Sequence, residues 1–315
     1  MSQETGTGKY EKLLERCRML DPIPTAVVHP CEATALSGAV EASKERLISP
    51  IMIGPADKIA AVAKFEGINV NSLKIVDVPH SHAAAAKAVE LVRKGEAELL
   101  MKGSLHTDEL MGAVVSREGG LRTGRRISHC FVMDVPTHDD VLIISDAAVN
   151  IAPPLEVKVD IVQNAIDLAH NLGTNEVRVA ILSAMETVNS KVPSTLEAAA
   201  LCKMADRGQI TGAVLDGPLA LDNAISPEAA KIKKIKSEVA GRANVLIVPD
   251  LEAGNMLAKS LTFLADADAA GIVLGARVPI ILTSRADSVL TRLASCAIAS
   301  LIVEAKRKAP ERHIT

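Results

Sequence analysis

The feature that most constrains this chain is the alternation of short apolar runs with longer amphipathic stretches. The short runs are rich in Val, Ile and Leu and predict buried strands, whereas the longer stretches repeat apolar residues at helical spacing and predict helices. Strands that alternate with helices usually pair in parallel, with helices packed on both faces of the sheet. The chain is therefore predicted to be an α/β protein.

The predicted strands are residues 25–28, 51–53, 74–78, 98–101, 130–134, 141–145, 177–182, 212–215, 244–248, 271–274 and 279–282. The predicted helices are residues 32–47, 82–93, 155–172, 195–207, 254–264 and 288–306. Two of the strands, 130–134 and 141–145, follow each other directly across a polar turn. This pair predicts an antiparallel hairpin within the otherwise parallel pattern.

A domain boundary is predicted near residue 150. The 315 residues exceed the roughly 100–200 residues that are typical of one domain. The segment Asn150-Ile-Ala-Pro-Pro154 interrupts the strand–helix pattern, because two consecutive prolines disfavour both a helix and a central strand.

The charge argues against nucleic-acid binding, and the aromatic content indicates the kind of core. The net charge of −3 and the pI of about 6.3 leave no basic domain, which argues against nucleic acid as a partner. The densest basic run, residues 231–236, predicts an exposed helix face with Ile232 and Ile235 on the buried side. With no Trp, one Tyr and three Phe, the core is expected to be aliphatic.

Cysteine and histidine spacing predicts no metal site. The five cysteines lie far apart and form no CxxC pair, and reduced thiols of this kind suit the cytoplasm. His80 and His82 lack a third ligand at a supporting spacing, so a solvated loop is favoured there. The polar N-terminus and the absence of an 18-residue apolar stretch predict neither a signal peptide nor a membrane span. We expect a cytoplasmic protein.

The segment Asp216-Gly-Pro-Leu-Ala-Leu-Asp222 lies at the carboxyl end of a predicted strand. That edge of a parallel sheet is where ligands bind, and Gly217 would let the backbone approach a ligand closely. A turn with Asp216 as its cap accounts for the same residues, and both interpretations stay open.

Residues 239–255 contain a strand that ends in Pro-Asp, with Gly254-Asn255 predicted to begin the next helix. A helix N-terminus offers unpaired N–H groups and the positive end of a dipole, which suits phosphate. An ordinary strand–loop–helix connection is the alternative interpretation.

Thr283-Ser-Arg-Ala-Asp287 follows a predicted strand and opens the last long helix. Ser284 and Asp287 have the spacing of a capping box, but capping leaves Arg285 unexplained. A cation is unfavourable at a helix N-terminus unless an anion occupies the same place, so Arg285 predicts an anion site.

The segment Gly119-Gly-Leu-Arg-Thr-Gly-Arg-Arg126 is predicted to be a flexible basic loop. Its arginines, which include Arg122 and Arg126, either clamp a phosphate or face solvent.

Taken in order, the segments 146–150, 216–222 and 239–255 and the dipeptide Ser284-Arg285 resemble the phosphate acetyltransferase/phosphate butyryltransferase family. The resemblance covers about residues 100–300, and the pattern VAGxANVxxxPDLxxGN of residues 239–255 is its longest and most specific part.

This resemblance implies a fold like that of isocitrate and isopropylmalate dehydrogenases, with two α/β domains flanking an interdomain cleft. The first domain would be discontinuous, residues 1–150 plus 280–315, and the second would be residues 151–279. The resemblance also implies a homodimer whose partners are acyl-CoA and inorganic phosphate. Coenzyme A would be a substrate, and no cofactor would be tightly bound.

The implied reaction is the reversible transfer of an acetyl group between acetyl-CoA and inorganic phosphate by direct attack in a ternary complex. By resemblance, Arg285 holds phosphate and the transferring acyl group, and Ser284 hydrogen-bonds the coenzyme A sulfur. Arg122 resembles a second phosphate-binding arginine, and Asn255 resembles part of the anion site. Arg126 and Asp216 complete the set of candidate binding residues.

One position departs from the acetyl-specific members, which carry an aspartate base where this chain has Thr291. Local positive charge that lowers the pKa of the thiol would make a dedicated base unnecessary. Asp287 is another candidate base, and capping of the helix is the alternative role for it. The segment 283–288 is nearer to the butyryltransferase branch, so a phosphate butyryltransferase or another short-chain acyl-CoA phosphotransacylase is the alternative function. The missing aspartate also leaves open a catalytically silent CoA-binding protein. A nicotinamide-dependent dehydrogenase would need a metal-binding carboxylate cluster, which the sequence does not indicate.

Overall fold

The structure, a computed structural model, describes residues 8–282 and 288–308. Its contacts divide the chain into two compact units. We name them the central unit, Met1–Lys9 with Arg126–Ala269, and the terminal unit, Tyr10–Arg125 with Ala270–Thr315. The domain bounds expected from the resemblance stay a prediction.

The strands are β1 (Ile23–Val28), β2 (Ile48–Gly54), β3 (Lys74–Asp77), β4 (Leu99–Lys102), β5 (Ser128–Asp134), β6 (Leu142–Ser145), β7 (Arg178–Leu182), β8 (Val214–Leu219), β9 (Val245–Ile247), β10 (Asp268–Leu274) and β11 (Ile280–Ile281). The helices are α1 (Lys9–Cys17), α2 (Ala33–Lys44), α3 (Ala56–Phe65), α4 (Ser81–Arg93), α5 (Thr107–Val115), α6 (Leu155–Asn171), α7 (Pro193–Asp206), α8 (Leu221–Ile225), α9 (Pro227–Ile232), α10 (Leu251–Leu264) and α11 (Val289–Lys308). Each predicted strand overlaps an observed strand, and the predicted α/β class is confirmed.

In the terminal unit the strand order is β3-β2-β1-β4-β11-β10. Neighbouring strands pair in parallel, except that β10 and β11 are antiparallel. From β1 the chain moves to β2 and β3 on one side and returns to β4 on the other, so the strand order reverses between β1 and β4. Ligands of open α/β sheets bind outside the carboxyl ends of the strands at such a reversal.

In the central unit the strand order is β5-β6-β9-β7-β8. β5 and β6 form the predicted antiparallel hairpin, with Cys130 opposite Ser145, and the remaining neighbours pair in parallel. The core is aliphatic, as the composition predicts. Leu246 and Ile144 in the central unit and Leu100 and Ile281 in the terminal unit are completely buried, and each such side chain contributes about 1.5–3 kcal/mol.

The start of α10 differs from the prediction. The helix begins at Leu251 rather than at Gly254, because the Asp250 carboxylate accepts a hydrogen bond from the N–H of Ala253 at 2.8 Å and caps the helix. Gly254 and Asn255 therefore lie inside α10. The predicted helices also did not include α1, α3, α5, α8 and α9.

The interpretation of the basic run 231–236 is wrong for Ile232. This residue ends α9 and is 73% exposed, so it supplies no buried side. Lys233, which follows it, forms ion pairs with Glu186 at 3.2 Å and Asp222 at 3.3 Å. Among the helices that the structure describes, none combines the length and the apolar character that crossing a membrane requires.

Candidate functional site

A buried aspartate organises the loop that follows β6 in the central unit. Asp146 is only 3% exposed. Its Oδ1 accepts hydrogen bonds from the backbone N–H groups of Ala148 at 3.0 Å and Val149 at 3.1 Å. Its Oδ2 accepts from the backbone N–H of Asn150 at 3.1 Å and from the Asn150 side chain at 2.5 Å. Several N–H donors thus converge on one buried carboxyl group and hold residues 146–150 around it.

Asn150 connects this aspartate to Arg126. The Nδ2 of Asn150 also donates to the carbonyl of Ile127 at 2.9 Å, which leaves Oδ1 to accept from Nε of Arg126 at 3.0 Å. The backbone of Arg126 is held as well, since its N–H donates to Asp160 at 2.8 Å and its carbonyl accepts from Asn164 at 3.0 Å. Arg126 is nevertheless an exposed residue. Its guanidinium is thus oriented in advance, which suits the binding of a planar or tetrahedral anion.

Asn255 contacts the same loop from α10. Its Nδ2 donates to the carbonyl of Ala147 at 3.4 Å. The expected anion site at the helix start is less favourable than the sequence suggested, because the N–H of Leu251 donates to Ile151 at 3.0 Å and that of Ala253 donates to Asp250. The structure therefore brings Arg126 and Asn255 to residues 146–150 by side-chain contacts.

Asp216 lies on β8, at the opposite end of the central sheet order from β5. Its Oδ1 accepts from the N–H of Gly217 at 2.8 Å. A Cβ at Gly217 would lie 2.8 Å from both Cβ and the carbonyl oxygen of Ile181. The close approach that requires glycine here is therefore an approach to the neighbouring strand β7.

Two buried titratable groups lie on β5 behind the loop that contains Asp146. Burial lowers the pKa of His129 to about 4, and the carboxylate of Asp146 opposes this shift. Burial raises the pKa of Cys130 to about 12. At neutral pH both side chains are uncharged, so Asp146 faces no histidine cation from β5.

Arg122 belongs to the terminal unit, in a loop that is less flexible than predicted. Arg122 forms an antiparallel bridge with Ala276, and the N–H of Arg277 donates to the carbonyl of Leu121 at 2.9 Å. The hydroxyl of Thr123 donates to the carbonyl of Gly275 at 2.6 Å. Backbone pairing with residues 275–277 thus holds this exposed arginine in place.

Ser284, Arg285 and Asp287, the predicted catalytic residues, lie outside the described residues. The described part of α11 begins at Val289, and the Oγ of Ser288 accepts from the N–H of Thr291 at 3.1 Å. The hydroxyl of Ser288 also donates to the Oγ1 of Thr291 at 3.1 Å, and Thr291 is only 4% exposed. Thr291 therefore helps to define the start of α11.

Sequence reasoning did not assign a role to Asp146, Asn150 or Asp160. The signal for Asp146 was present, because a polar residue directly after a buried strand marks the ligand-binding edge of a parallel sheet. The contacts of Asn150 and Asp160 with Arg126 join residues far apart in sequence, and no local pattern predicts them.

Candidate metal ligands are absent from the described ranges, where no group of three or more His, Cys, Asp or Glu side chains could hold a metal ion. His80 instead caps α4 by accepting from the N–H of Ala83 at 3.2 Å, and His82 lies 3.7 Å from Glu109.

The amino-acid sequence is similar to those of two acyltransferases, which are a phosphate acetyltransferase and a phosphate butyryltransferase. It is 65% identical over 302 residues to the phosphate acetyltransferase of Rhizobium meliloti, covering 96% of each chain. It is 41% identical over 293 residues to the phosphate butyryltransferase of Clostridium acetobutylicum, covering 93% of this chain and 97% of the relative.

The structure is similar to a branched-chain phosphotransacylase from Enterococcus faecalis V583, with a TM-score of 0.78, 31% identity and coverage of 89% of this chain and 99% of that one. It is also similar to 4-hydroxythreonine-4-phosphate dehydrogenase from Klebsiella pneumoniae, with a TM-score of 0.55 and coverage of 90% and 99%. The identity to that dehydrogenase is 11%, so this likeness concerns the fold alone. The family model described as phosphate acetyl/butaryl transferase matches residues 80–300, more than half of the chain. This chain belongs to the phosphate acetyl/butaryl transferase family.

Proposed function

We propose that this chain transfers an acetyl group reversibly between acetyl-CoA and inorganic phosphate. The observation that carries the proposal is the near full-length similarity to a phosphate acetyltransferase, which is much higher than the similarity to a phosphate butyryltransferase. The reaction would proceed by direct attack of phosphate on the thioester carbon in a ternary complex, without a covalent acyl-enzyme.

The first task of such an enzyme is to hold an anionic nucleophile against an electrophilic carbon. Arg126 supports this proposal, because Asn150 fixes its Nε and Asp146 in turn fixes Asn150. A guanidinium that is oriented before the anion arrives loses less conformational entropy on binding and stabilises charge that develops in the transition state. We assign Arg126, Arg122, Asn255 and Asp216 to the binding of phosphate and substrate.

The second task is to stabilise the tetrahedral oxyanion and to help the coenzyme A sulfur leave. We assign these roles to Arg285 and Ser284, and Asp287 is the candidate base within the same segment. Thr291 is a poor base because a hydroxyl binds a proton only weakly, and its Oγ1 already accepts from Ser288.

We further propose two α/β domains that flank a cleft, as in isocitrate and isopropylmalate dehydrogenases, with bounds 1–150 plus 280–315 and 151–279. The likeness in fold to a hydroxythreonine-phosphate dehydrogenase supports this proposal. A homodimer, a cytoplasmic location and the lack of a tightly bound cofactor belong to the same proposal.

The test is an acyl-chain series. The purified chain is assayed with acetyl-, propionyl- and butyryl-CoA and phosphate, and the acyl phosphate is trapped as a hydroxamate. We expect kcat/KM for acetyl-CoA to exceed that for butyryl-CoA by about tenfold or more, since a pocket discriminates added methylenes by 1–3 kcal/mol. A maximum at butyryl-CoA would assign the butyryl function, and CoA binding without any acyl phosphate would assign the silent CoA-binding protein. The Arg285→Ala variant should lose at least about 100-fold in kcat.

A further inference from the structure

His29 lies at the point where the strand order of the terminal unit reverses. It directly follows β1, whose neighbours are β2 and β4. β11 runs parallel to β4, with Ile281 opposite Met101, so β1, β4 and β11 end at the same edge of the sheet. This edge is where the topology favours a ligand.

The backbone of His29 has a left-handed conformation, with φ of 55°. This conformation costs a residue other than glycine of the order of 1–3 kcal/mol and persists only where the surroundings impose it. The N–H of His29 donates to the carbonyl of Ile53 at 2.7 Å. The carbonyl of His29 accepts from the N–H groups of Cys31 at 2.8 Å and Ser104 at 2.9 Å, and from the Ser104 hydroxyl at 2.7 Å.

Gly103 permits this arrangement by letting the loop after β4 approach β1 closely. A Cβ at this position would lie 2.3 Å from the carbonyl oxygen of Val28 and 2.6 Å from that of His29. The end of β1 and the end of β4 are thus locked together around the backbone of His29. Its side chain is left half-buried rather than packed into the core.

Ser104 also selects the tautomer of His29. The Ser104 hydroxyl proton is given to the carbonyl of His29, and the same oxygen accepts from the N–H of Cys31 at 3.0 Å. Nδ1 of His29 lies 3.4 Å from this oxygen. Because the hydroxyl proton is already used, Nδ1 must carry a proton to make this contact favourable. The proton-accepting nitrogen is then Nε2.

The groups around the imidazole keep it neutral. Burial is the main cause that lowers the pKa of His29, and Lys58 on α3 adds to it, while Glu109 on α5 and Glu32 before α2 oppose it. Burial also raises the pKa of the neighbouring Cys31 thiol, so that thiol is uncharged at neutral pH. A neutral imidazole with one unprotonated nitrogen is an effective base and, once protonated, an effective acid.

We infer that His29, in place of the candidate Asp287, is the acid–base residue that carries the proton between phosphate and the coenzyme A sulfur. This inference rests on the proposed function. As the phosphate oxygen forms its bond to the acyl carbon, Nε2 takes the proton of the hydrogen phosphate. As the carbon–sulfur bond breaks, the imidazolium gives this proton to the departing thiolate, so the products are acyl phosphate and CoA thiol. In the reverse direction Nε2 takes the thiol proton and returns it to phosphate.

The test replaces His29 by residues that tolerate the left-handed conformation. Asparagine and glycine both do so, and therefore His29→Asn and His29→Gly remove the imidazole without adding backbone strain. We expect both variants to lose about 100-fold in kcat, with KM values for acetyl-CoA and phosphate within about threefold of the parent chain. Added imidazole should restore part of kcat in His29→Gly, which leaves a space for it, and much less in His29→Asn.

The matched control is Arg46→Gly. Arg46 also has a left-handed backbone, with φ of 59°, but it lies in the exposed turn between α2 and β2. We expect this variant to keep kcat within about twofold. The parent chain should lose activity as the pH falls through the pKa of His29, which gives its pH–activity profile an acid limb. Under the same substrate conditions, the two His29 variants should lack this acid limb.

The inference would be overturned if His29→Asn and His29→Gly kept the parent kcat and the acid limb of the pH profile. It would also be overturned if added imidazole stimulated the parent chain and His29→Gly equally. An inactive parent chain would instead overturn the proposed function, so the two failures are distinguishable.

Discussion

Asp146 and His29 both follow a strand directly at its carboxyl end, but the protein fixes them by different means. Asp146 in the central unit is held by its side chain, whose two oxygens accept from N–H donors of residues 148–150. His29 in the terminal unit is held by its backbone, through hydrogen bonds with Ile53, Cys31 and Ser104.

The difference follows from the chemistry that each residue serves. Holding an anion needs a cation that is kept in one place. Asp146 meets this need indirectly, because it orients Asn150, which in turn holds the Nε of Arg126. Transferring a proton needs a side chain that changes its charge and is accessible to the substrate. Because the protein fixes His29 by its backbone, the imidazole stays half-buried and accessible to a substrate. It also retains one unprotonated nitrogen, so its charge can change.

The largest expected effect is that of Asp146→Ala on stability. This substitution removes the acceptor of the N–H groups of residues 148–150 and of the Asn150 amide. The N–H and the amide of Asn150 are buried, and each buried group left unsatisfied costs about 1–3 kcal/mol. We expect the free energy of unfolding in urea to fall by about 3 kcal/mol or more, and the KM for phosphate to rise because Arg126 is no longer oriented.

Asp160→Ala is the matched control for this substitution. Asp160 accepts the backbone N–H of Arg126 at 2.8 Å. Losing one partly exposed hydrogen bond should cost only about 1 kcal/mol. Equal losses of stability in the two variants would show that the buried carboxyl group of Asp146 stabilises the central unit no more than the partly exposed one of Asp160.

The intermediate effect is that of Ser104→Ala on catalysis. The substitution removes the hydroxyl that donates to the carbonyl of His29 and lies next to Nδ1. We expect kcat to fall about tenfold, with KM nearly unchanged, because Ser104 is a positioning residue that acts through His29. The acid limb of the pH profile should also move, and Ser104→Thr should restore both properties by returning the hydroxyl. A rise in KM with the parent kcat and pH profile would contradict this role.

The sequence was sufficient to predict the strands, because runs of buried Val, Ile and Leu identify them locally. It was less reliable for helix starts. Gly254 suggested the beginning of α10, whereas the cap formed by Asp250 places the beginning at Leu251. The amphipathic pattern also failed at Ile232, where α9 ends before the residue can be buried.

Candidate site residues could be proposed from the sequence only where a motif is continuous along the chain. Arg126 and Asn255 were proposed from the segments that contain them. The link from Arg126 to Asp146 runs through Asn150 and depends on folding. The left-handed backbone of His29 could not be predicted either. It results from hydrogen bonds with the ends of β2 and β4, far away in sequence.

The smallest effect at neutral pH is expected for His129→Leu, which tests whether the central unit needs a titratable imidazole. Nδ1 of His129 has no hydrogen-bond partner in the described structure, and the ring packs edge-on against Phe131 at 4.4 Å. An apolar side chain of similar size should therefore change the free energy of unfolding at pH 7.5 by less than about 1.5 kcal/mol.

The pH dependence of unfolding should differ between the parent chain and the His129→Leu variant. The folded-state pKa of His129 is lowered from 6.5 to about 4. The unfolded chain therefore binds a proton first as the pH falls below 6.5, and the folded state loses about 1.4 kcal/mol for each pH unit between these values. The leucine variant should lack this part of the loss in urea unfolding measured from pH 7.5 to pH 4.5. If both proteins lose stability with the same slope, His129 is not the group that makes the central unit sensitive to acid.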